Sequence, residues 1–467
     1  MKKYFSPPIL KGIVVLGLPL LAGRFSHYLM SLADTAMVGR LGTVELAAIA
    51  LGGLFTSILF TFLWPVRTGV QAITSRRKGR IAAGQNLILE EVLTNGLAAA
   101  LIAAALGFIL SFTAGPLLRF LRVDEEIIPL TLAYIGVLRW SLPLFGVVQA
   151  SMGFLGGVHR TRDIMVVTIG TNILNVFFNY ILIFGKAGAP ALGIRGAALG
   201  TLLAEGMGAV YLLFKLGGLG YLVHFRPAAG ASYQGHLIQD VFHQAVPIGI
   251  QNIGALGIFM IYEIFVGKTG TAALAATHIL FSLFRVNKTI VGGFSQSSAI
   301  LVGNHLGAGD VEGANRVIVN CEFLSAVIGA VVFAAVLIFP EPIVSVFTAD
   351  PETIAIGVRA MRFFAPFFFI EILGYSFEMI FTSNGWPRFV LISEFTTNVV
   401  FILGATALGL FVLGRGLSWA WASFGLYQLS HAAILTAGYF SKKWAHLEVE
   451  RVRPPARQNL PAEGDCR

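Results

Sequence analysis

Apolar runs long enough to cross a bilayer follow one another along almost the whole chain, and nothing else restricts its fold so strongly. They lie at about 9–38, 44–73, 87–114, 127–154, 163–184, 192–215, 240–266, 271–302, 316–340, 353–383, 388–413 and 416–441. A transmembrane helix needs about 20 consecutive apolar residues. In hydrocarbon each backbone polar group must be satisfied inside the segment, so continuous runs of this kind form helices. Barrel strands are shorter and alternate in polarity. The expected fold is therefore an all-α integral membrane protein of twelve transmembrane helices. Composition agrees: of the 467 residues 56% are hydrophobic and 12% charged, with mean hydropathy +0.78. A soluble domain carries about 25% charged residues. So few polar side chains could not cover a soluble surface, and disordered and collagen-like chains are excluded as well.

The net charge of +9 sits in short clusters between the runs, so it reports topology rather than nucleic-acid binding. One set of alternate connectors holds Lys2, Lys3 and Lys11; Arg76, Arg77, Lys78 and Arg80; Arg160 and Arg162; Lys215 and Arg226; Arg316; Arg388; and Lys442, Lys443, Arg451 and Arg453. The other set is poorer in Lys and Arg, which puts both termini in the cytoplasm. The longest connector, 216–239, separates a first six-helix bundle (1–215) from a second (240–441). The polar, Pro- and Arg-rich tail, 442–467, reads as disordered. Cys321 and Cys466 lie far apart, so no disulfide framework is implied.

The chain repeats itself. Gly17-Leu-Pro19 and Gly39-Arg-Leu-Gly42-Thr43-Val-Glu-Leu46-Ala47-Ala48 align without a gap on Ala245-Val-Pro247 and Gly267-Lys-Thr-Gly270-Thr271-Ala-Ala-Leu274-Ala275-Ala276, at the offset 247 − 19 = 228. The opening stretch is thus part of the fold rather than a cleaved leader. Six spans per half is an even number, so the halves share one orientation. Parallel repeats of this kind are a transporter architecture, with the substrate site between the halves.

Charges within spans need a partner or a water-filled cavity. Asp34 lies in the first span, fifteen residues after Pro19, and its repeat position is Tyr262, so the acid belongs to one half only. Such a group binds a proton or a sodium ion. Asn175 and Asn179, four apart in the fifth span, present both amides on one face and with Asp34 form a candidate ion-coupling pocket. Arg285, in the eighth span, is the intramembrane cation expected to pair with Asp34 across the two halves; Lys288 lies three residues on. Tyr262, Glu263, Arg285, Glu371 and Glu378 are the candidate substrate contacts, the last two seven apart on one face of the tenth span. Gly267-Lys268-Thr269 ends like a phosphate-binding loop, but the required earlier glycine is Tyr262. Neither a metal-binding nor a catalytic motif is present, so the chain reads as a non-enzyme without cofactor or metal.

With these residues placed, the sequence resembles the multidrug and toxic compound extrusion (MATE) family. The marks are Gly17-Leu-Pro19, Asp34-Thr35-Ala-Met-Val-Gly39-Arg-Leu-Gly42, Asn172-Ile-Leu-Asn175-Val-Phe-Phe-Asn179, Gly307-Ala-Gly-Asp310 and Asn384-Gly-Trp-Pro387, together spanning about 10–440. Arg285 and Gly157-Val-His-Arg look like its DinF-like branch. The resemblance implies a V-shaped pair of six-helix bundles in the cell (inner) membrane. It also implies a monomer that exports organic cations and other amphiphiles by antiport, with the family's first-span aspartate falling on Asp34. Many relatives carry an acid where this chain has Asn179, and the seventh-span acid of the sodium-coupled branch has no counterpart near Ala255. Both departures favour protons over sodium. The alternative is a flippase for lipid-linked sugars. It predicts several cations in the cleft, of which the sequence offers Arg285 and Lys288.

Overall fold

The computed structural model describes residues 4–222 and 233–450. Lys2, Lys3, Arg226, Arg451, Arg453 and Cys466 lie outside the described residues, as do 223–232 of the expected connector and 451–467 of the expected tail. The described residues are helical and contain no strand. In the first half the helices are α1 (Pro7–Val38), α2 (Thr43–Phe60), α3 (Trp64–Ala82), α4 (Glu90–Leu110), α5 (Ala114–Phe120), α6 (Ile127–Leu138), α7 (Ser141–Gly157), α8 (Thr161–Phe184) and α9 (Ile194–Gly218). In the second they are α10 (Gly235–Gly267), α11 (Thr271–Gly307), α12 (Val311–Ile338), α13 (Pro340–Ser345), α14 (Pro351–Thr382), α15 (Pro387–Thr397, continued as π-helix toward Val412) and α16 (Leu417–Phe440).

Nine of these segments are long and apolar enough to span a membrane, with α2–α3 and α4–α5 each counted as one. The pair α6–α7, bent by 47°, makes ten. The remaining two spans are α11 and α16, 37 and 24 residues long. Both have the length and are more polar; α11 buries Asn287, Ser295, Gln296, Ser297 and Ser298 against other helices. The twelve-helix architecture follows.

The repeat is visible in the backbone. Pro19 lies inside α1 and Pro247 inside α10. Gly42 and Gly270 cap α2 and α11 with φ of +150° and +135°, a region that side chains with a Cβ disfavour. At the start of α1 the Ser6 N–H donates to Asn320 Oδ1 at 3.1 Å, and before α10 the Gln234 N–H donates to Asn95 Oδ1 at 2.7 Å. Each opening helix thus starts against the opposite half. Ile13 belongs to the second half's apolar core, and Leu237, Val241 and Ala245 to the first half's. Bare glycines permit the crossing. A Cβ on Gly293 would lie 2.8 Å from Leu21 N, and one on Gly69 would lie 2.8 Å from Val241 O.

These contacts gather on the side where the described residues begin and end, the terminal side, where Tyr4 O accepts from Asn320 and Tyr439 Oη donates to Asn315. Among the described residues no hydrogen bond joins the halves outward of Arg24–Gln296. Beyond it Tyr28, Leu29 and Leu32 of α1 are exposed, as are Ile250, Ile253 and Leu256 of α10. The two bundles therefore meet on the terminal side and part toward the other, leaving a cleft.

Two expectations need correction. Arg76 and Arg77 are not in a solvated connector but on the last turns of α3, 5% and 3% exposed. The tail is not disordered from 442 onward. Residues 443–446 form a 3-10 turn, Trp444 and Val449 are buried, and Glu450 pairs with Arg77 at 2.5 Å and Arg80 at 3.3 Å. Leu447, Glu448 and Val449 lie over Gly385 of the second half while Glu450 grips the first, so this segment straps the halves together. Composition hid this, because two apolar residues and one acid decide it.

Candidate functional site

The first half builds a polar pocket around Asp34. α1 carries the acid past Pro19 to a half-buried position. On α8 the spacing of four puts Asn175 and Asn179 over it. Asn179 Nδ2 donates to Asp34 Oδ1 at 2.9 Å and to Asn175 Oδ1 at 3.1 Å. Asn175 Nδ2 meets Thr201 Oγ1 of α9 at 3.0 Å; in its other amide orientation the same nitrogen reaches Asp34 at 3.1 and 3.3 Å. Asn179 Oδ1 is buried without a partner and sits against Gly200, where any side chain would collide with it. One turn-face further along α8, Asn172 donates to Ser26 Oγ at 3.0 Å. Asp34, Asn175 and Asn179 are thus brought together, with Thr201 as a member the sequence reading missed.

Asp34 forms no ion pair among the described residues. Arg285 stands exposed on α11 and donates to Ser282 Oγ at 3.0 Å. The expected Asp34–Arg285 pair is therefore not formed in this arrangement. The halves are parted at that level, and each side chain is satisfied within its own half.

The second half holds a separate charged cluster. Glu371 on α14 accepts from Asn287 Nδ2 at 2.8 Å and Gln428 Nε2 at 3.4 Å, with Lys288 Nζ at 3.9 Å. Glu378, two turns on, accepts from Gln251 Nε2 at 2.9 Å and has His431 Nε2 at 3.9 Å. Gln251 also donates to Glu394. Lys288, Glu371, Glu378, Tyr427, Gln428 and His431 line a narrow cavity here. Gln251 was not foreseen; it lies on α10, the seventh span, one turn before Ala255.

Two candidate substrate contacts lie elsewhere. Tyr262 is fully buried, donates its hydroxyl to Ala420 O at 2.9 Å and packs against Phe281 and Phe424. It fills the second half's core where its repeat partner Asp34 forms a pocket. Glu263 is half-buried near the outer end of α10, its Oε1 3.2 Å from His278 Nδ1. It joins neither cluster.

Outside the spans, the connector between α7 and α8 sets His159 Nε2 2.5 Å from Asn304 Nδ2 of α11, a further tie between the halves. Burial, with Lys78 nearby, pushes this imidazole down to about 4. In the connector before α12, Asp310 caps the helix by accepting from Gly313 N at 2.7 Å, and that bond holds its carboxyl below the usual range.

The MatE family model matches residues 19–181 and 247–406, one stretch in each half. A probable multidrug resistance protein NorM of Photorhabdus laumondii is 25% identical over 371 residues, covering 79% of this chain and 81% of that protein. The NorM of Thermotoga maritima is 26% identical over 372 residues, covering 78% of each. Among solved structures, a mutant of the Vibrio cholerae MATE transporter VcmN superposes with TM-score 0.83 at 17% identity, covering 94% of this chain and 98% of that one. An outward-facing multidrug resistance MATE family transporter gives 0.82 at 18%, covering 94% and 97%. At such identities the structures speak for the fold alone.

Proposed function

Because the chain belongs to the MatE family, and is therefore a multi-pass membrane transporter and not an enzyme, we propose that it expels small amphiphilic molecules from the cytoplasm by antiport against an inward-moving proton. The observation that carries this reading is the isolated carboxylate of Asp34, half-buried in the first bundle and held by Asn179 without a compensating cation among the described residues. Protonation removes its charge and its claim on the amide together. That change of contacts is what a coupling group needs to bias one arrangement of the bundles over another. Entry of one proton through 100 mV supplies about 2.3 kcal/mol.

Sodium fits less well. Hard cations take oxygen ligands, whereas Asp34 Oδ1 faces the Asn179 amide N–H, and the family resemblance sets Asn179 where many relatives carry an acid. On this reading the terminal side faces the cytoplasm, in line with its basic residues, and the parted side faces outward. The monomer and the inner-membrane location belong to the same proposal.

The test is transport in proteoliposomes with proton and sodium gradients imposed separately. Efflux driven by the proton gradient and indifferent to sodium supports the reading. Efflux that follows sodium alone, or substrate movement in the absence of either gradient against its own concentration difference, overturns it.

A further inference from the structure

The floor of the cleft carries two cations that the coupling pocket does not use. Arg24, midway along α1, donates Nη2 to Gln296 Oε1 of α11 at 3.1 Å. Gln296 donates onward to Gln71 Oε1 of α3 at 2.9 Å. This Arg–Gln–Gln relay is the outermost hydrogen-bonded tie between the halves among the described residues. Arg67, one turn outward from Gln71, adds a second guanidinium. Its Nη1 touches only the Met152 sulfur, at 3.6 Å, and its Nε is buried with no hydrogen-bond partner. The relay through Gln296 to Gln71 brings Arg24 to the turn of α3 next to that of Arg67. Neither forms an ion pair among the described residues.

The surroundings do not supply the missing charge. The Asp34 carboxylate is engaged by Asn179 in the first bundle. Glu371 is buried in the second with Lys288 beside it, and Glu378 is held there by Gln251 at 2.9 Å with His431 at 3.9 Å. Glu263 is paired with His278. Higher in the cleft α11 presents a cation again: Arg285 is exposed, eleven residues and so about three turns outward from Gln296 on the same face. Space is kept beside Arg24 by Gly292, whose Cβ would lie 2.8 Å from Arg24 Nη1. Outward from Arg24, at intervals of four, Tyr28 and Leu32 are exposed on the face that leaves α11 for the cleft.

A cation held at mid-membrane without a counter-charge is costly, and a guanidinium fork matches the geometry of carboxylate, sulfonate and phosphate oxygens. We propose that Arg24 and Arg67 form the binding site for the acidic group of an anionic amphiphile, whose apolar body lies along Tyr28 and Leu32. The exported substrate is then an anion, not the organic cation that the family resemblance implies. This rests on the efflux reading, and it covers both a free acidic solute and an acidic lipid headgroup.

Three probes decide it in proteoliposomes under a proton gradient: sulforhodamine B, net anionic; rhodamine 6G, a cation with the same xanthene body; and fluorescently tagged phosphatidylglycerol. The expected result is movement of at least one anionic probe, reduced tenfold or more in Arg24→Gln and in Arg67→Gln, with rhodamine 6G at background. Which anion moves tells solute from lipid. Movement of rhodamine 6G alone, unaffected by either substitution, overturns the anionic site and leaves efflux standing. Movement of none of the three overturns both. Should a variant not fold, phenylglyoxal labelling of the wild type reads the same contact by mass spectrometry. Sulforhodamine B is expected to protect Arg24 and Arg67 where rhodamine 6G does not, and equal protection by both dyes overturns the site.

Discussion

Asn179 holds the Asp34 carboxylate at 2.9 Å, and it can do so because Gly200 behind it has no side chain. An added Cβ at 200 would collide with both Asn179 Oδ1 and the Asn179 backbone nitrogen. Gly200→Ala is therefore expected to swing the amide off Asp34. Overpacking of this kind costs about 1–3 kcal/mol. Thermal unfolding in detergent should show a lower midpoint, and the pH profile of transport should move with it. A variant with wild-type stability and pH profile would mean that Asn179 does not position the acid.

The Glu450 strap gives a second expectation. Its carboxylate is buried and bonds Arg77 and Arg80, while Arg77 keeps Glu91 at 2.8 Å and Ile88 O at 2.6 Å. Glu450→Gln removes the charge and leaves Arg77 partnered, so the loss is that of a charge-assisted hydrogen bond, about 1.5–3 kcal/mol. Spin labels on the terminal-side ends of α3 and α15 should report a larger population with that side opened. Unchanged distances would show that the strap is incidental to closure.

His159 adds a pH dependence of definite sign. Its folded value near 4 lies below the ordinary 6.5. The neutral ring accepts from Asn304. A chain released from this contact binds a proton below about 6.5, whereas the folded one stays neutral until about 4. The contact's contribution is full above 6.5 and is lost as pH falls from there toward 4. The difference in unfolding temperature between wild type and His159→Gln should therefore shrink or reverse as pH falls from 6.5 to 4. A difference constant across that window would contradict the assignment.

Local spacing made part of this readable from the sequence. The offset of 228 residues paired Pro19 with Pro247 and Gly42 with Gly270, and the backbone repeats at both. The interval of four on α8 put Asn175 and Asn179 together, and the acid of α1 met them. What helix periodicity could not give was which face meets which neighbour. Arg285 and Lys288, three apart, differ by about 60° around α11. That angle sends one into the cleft and the other toward Glu371. Tyr262, read by its kinship to Asp34, was a core residue because burial depends on packing partners the repeat does not preserve. Arg24 and Arg67 did carry a signal, a cation inside an apolar run, as plain as that of Arg285. Only the fold shows that Arg24 meets Gln296 and that Gln296 meets Gln71, one turn from Arg67.

Antiport driven through Asp34 is tested most directly by Asp34→Asn in proteoliposomes under an imposed proton gradient, with protein folding checked by size exclusion. The amide keeps the shape of the side chain and cannot titrate. We expect gradient-driven efflux to be abolished while substrate still binds, so that only downhill exchange remains. Efflux in the variant that still follows the proton gradient at the wild-type rate would contradict the account.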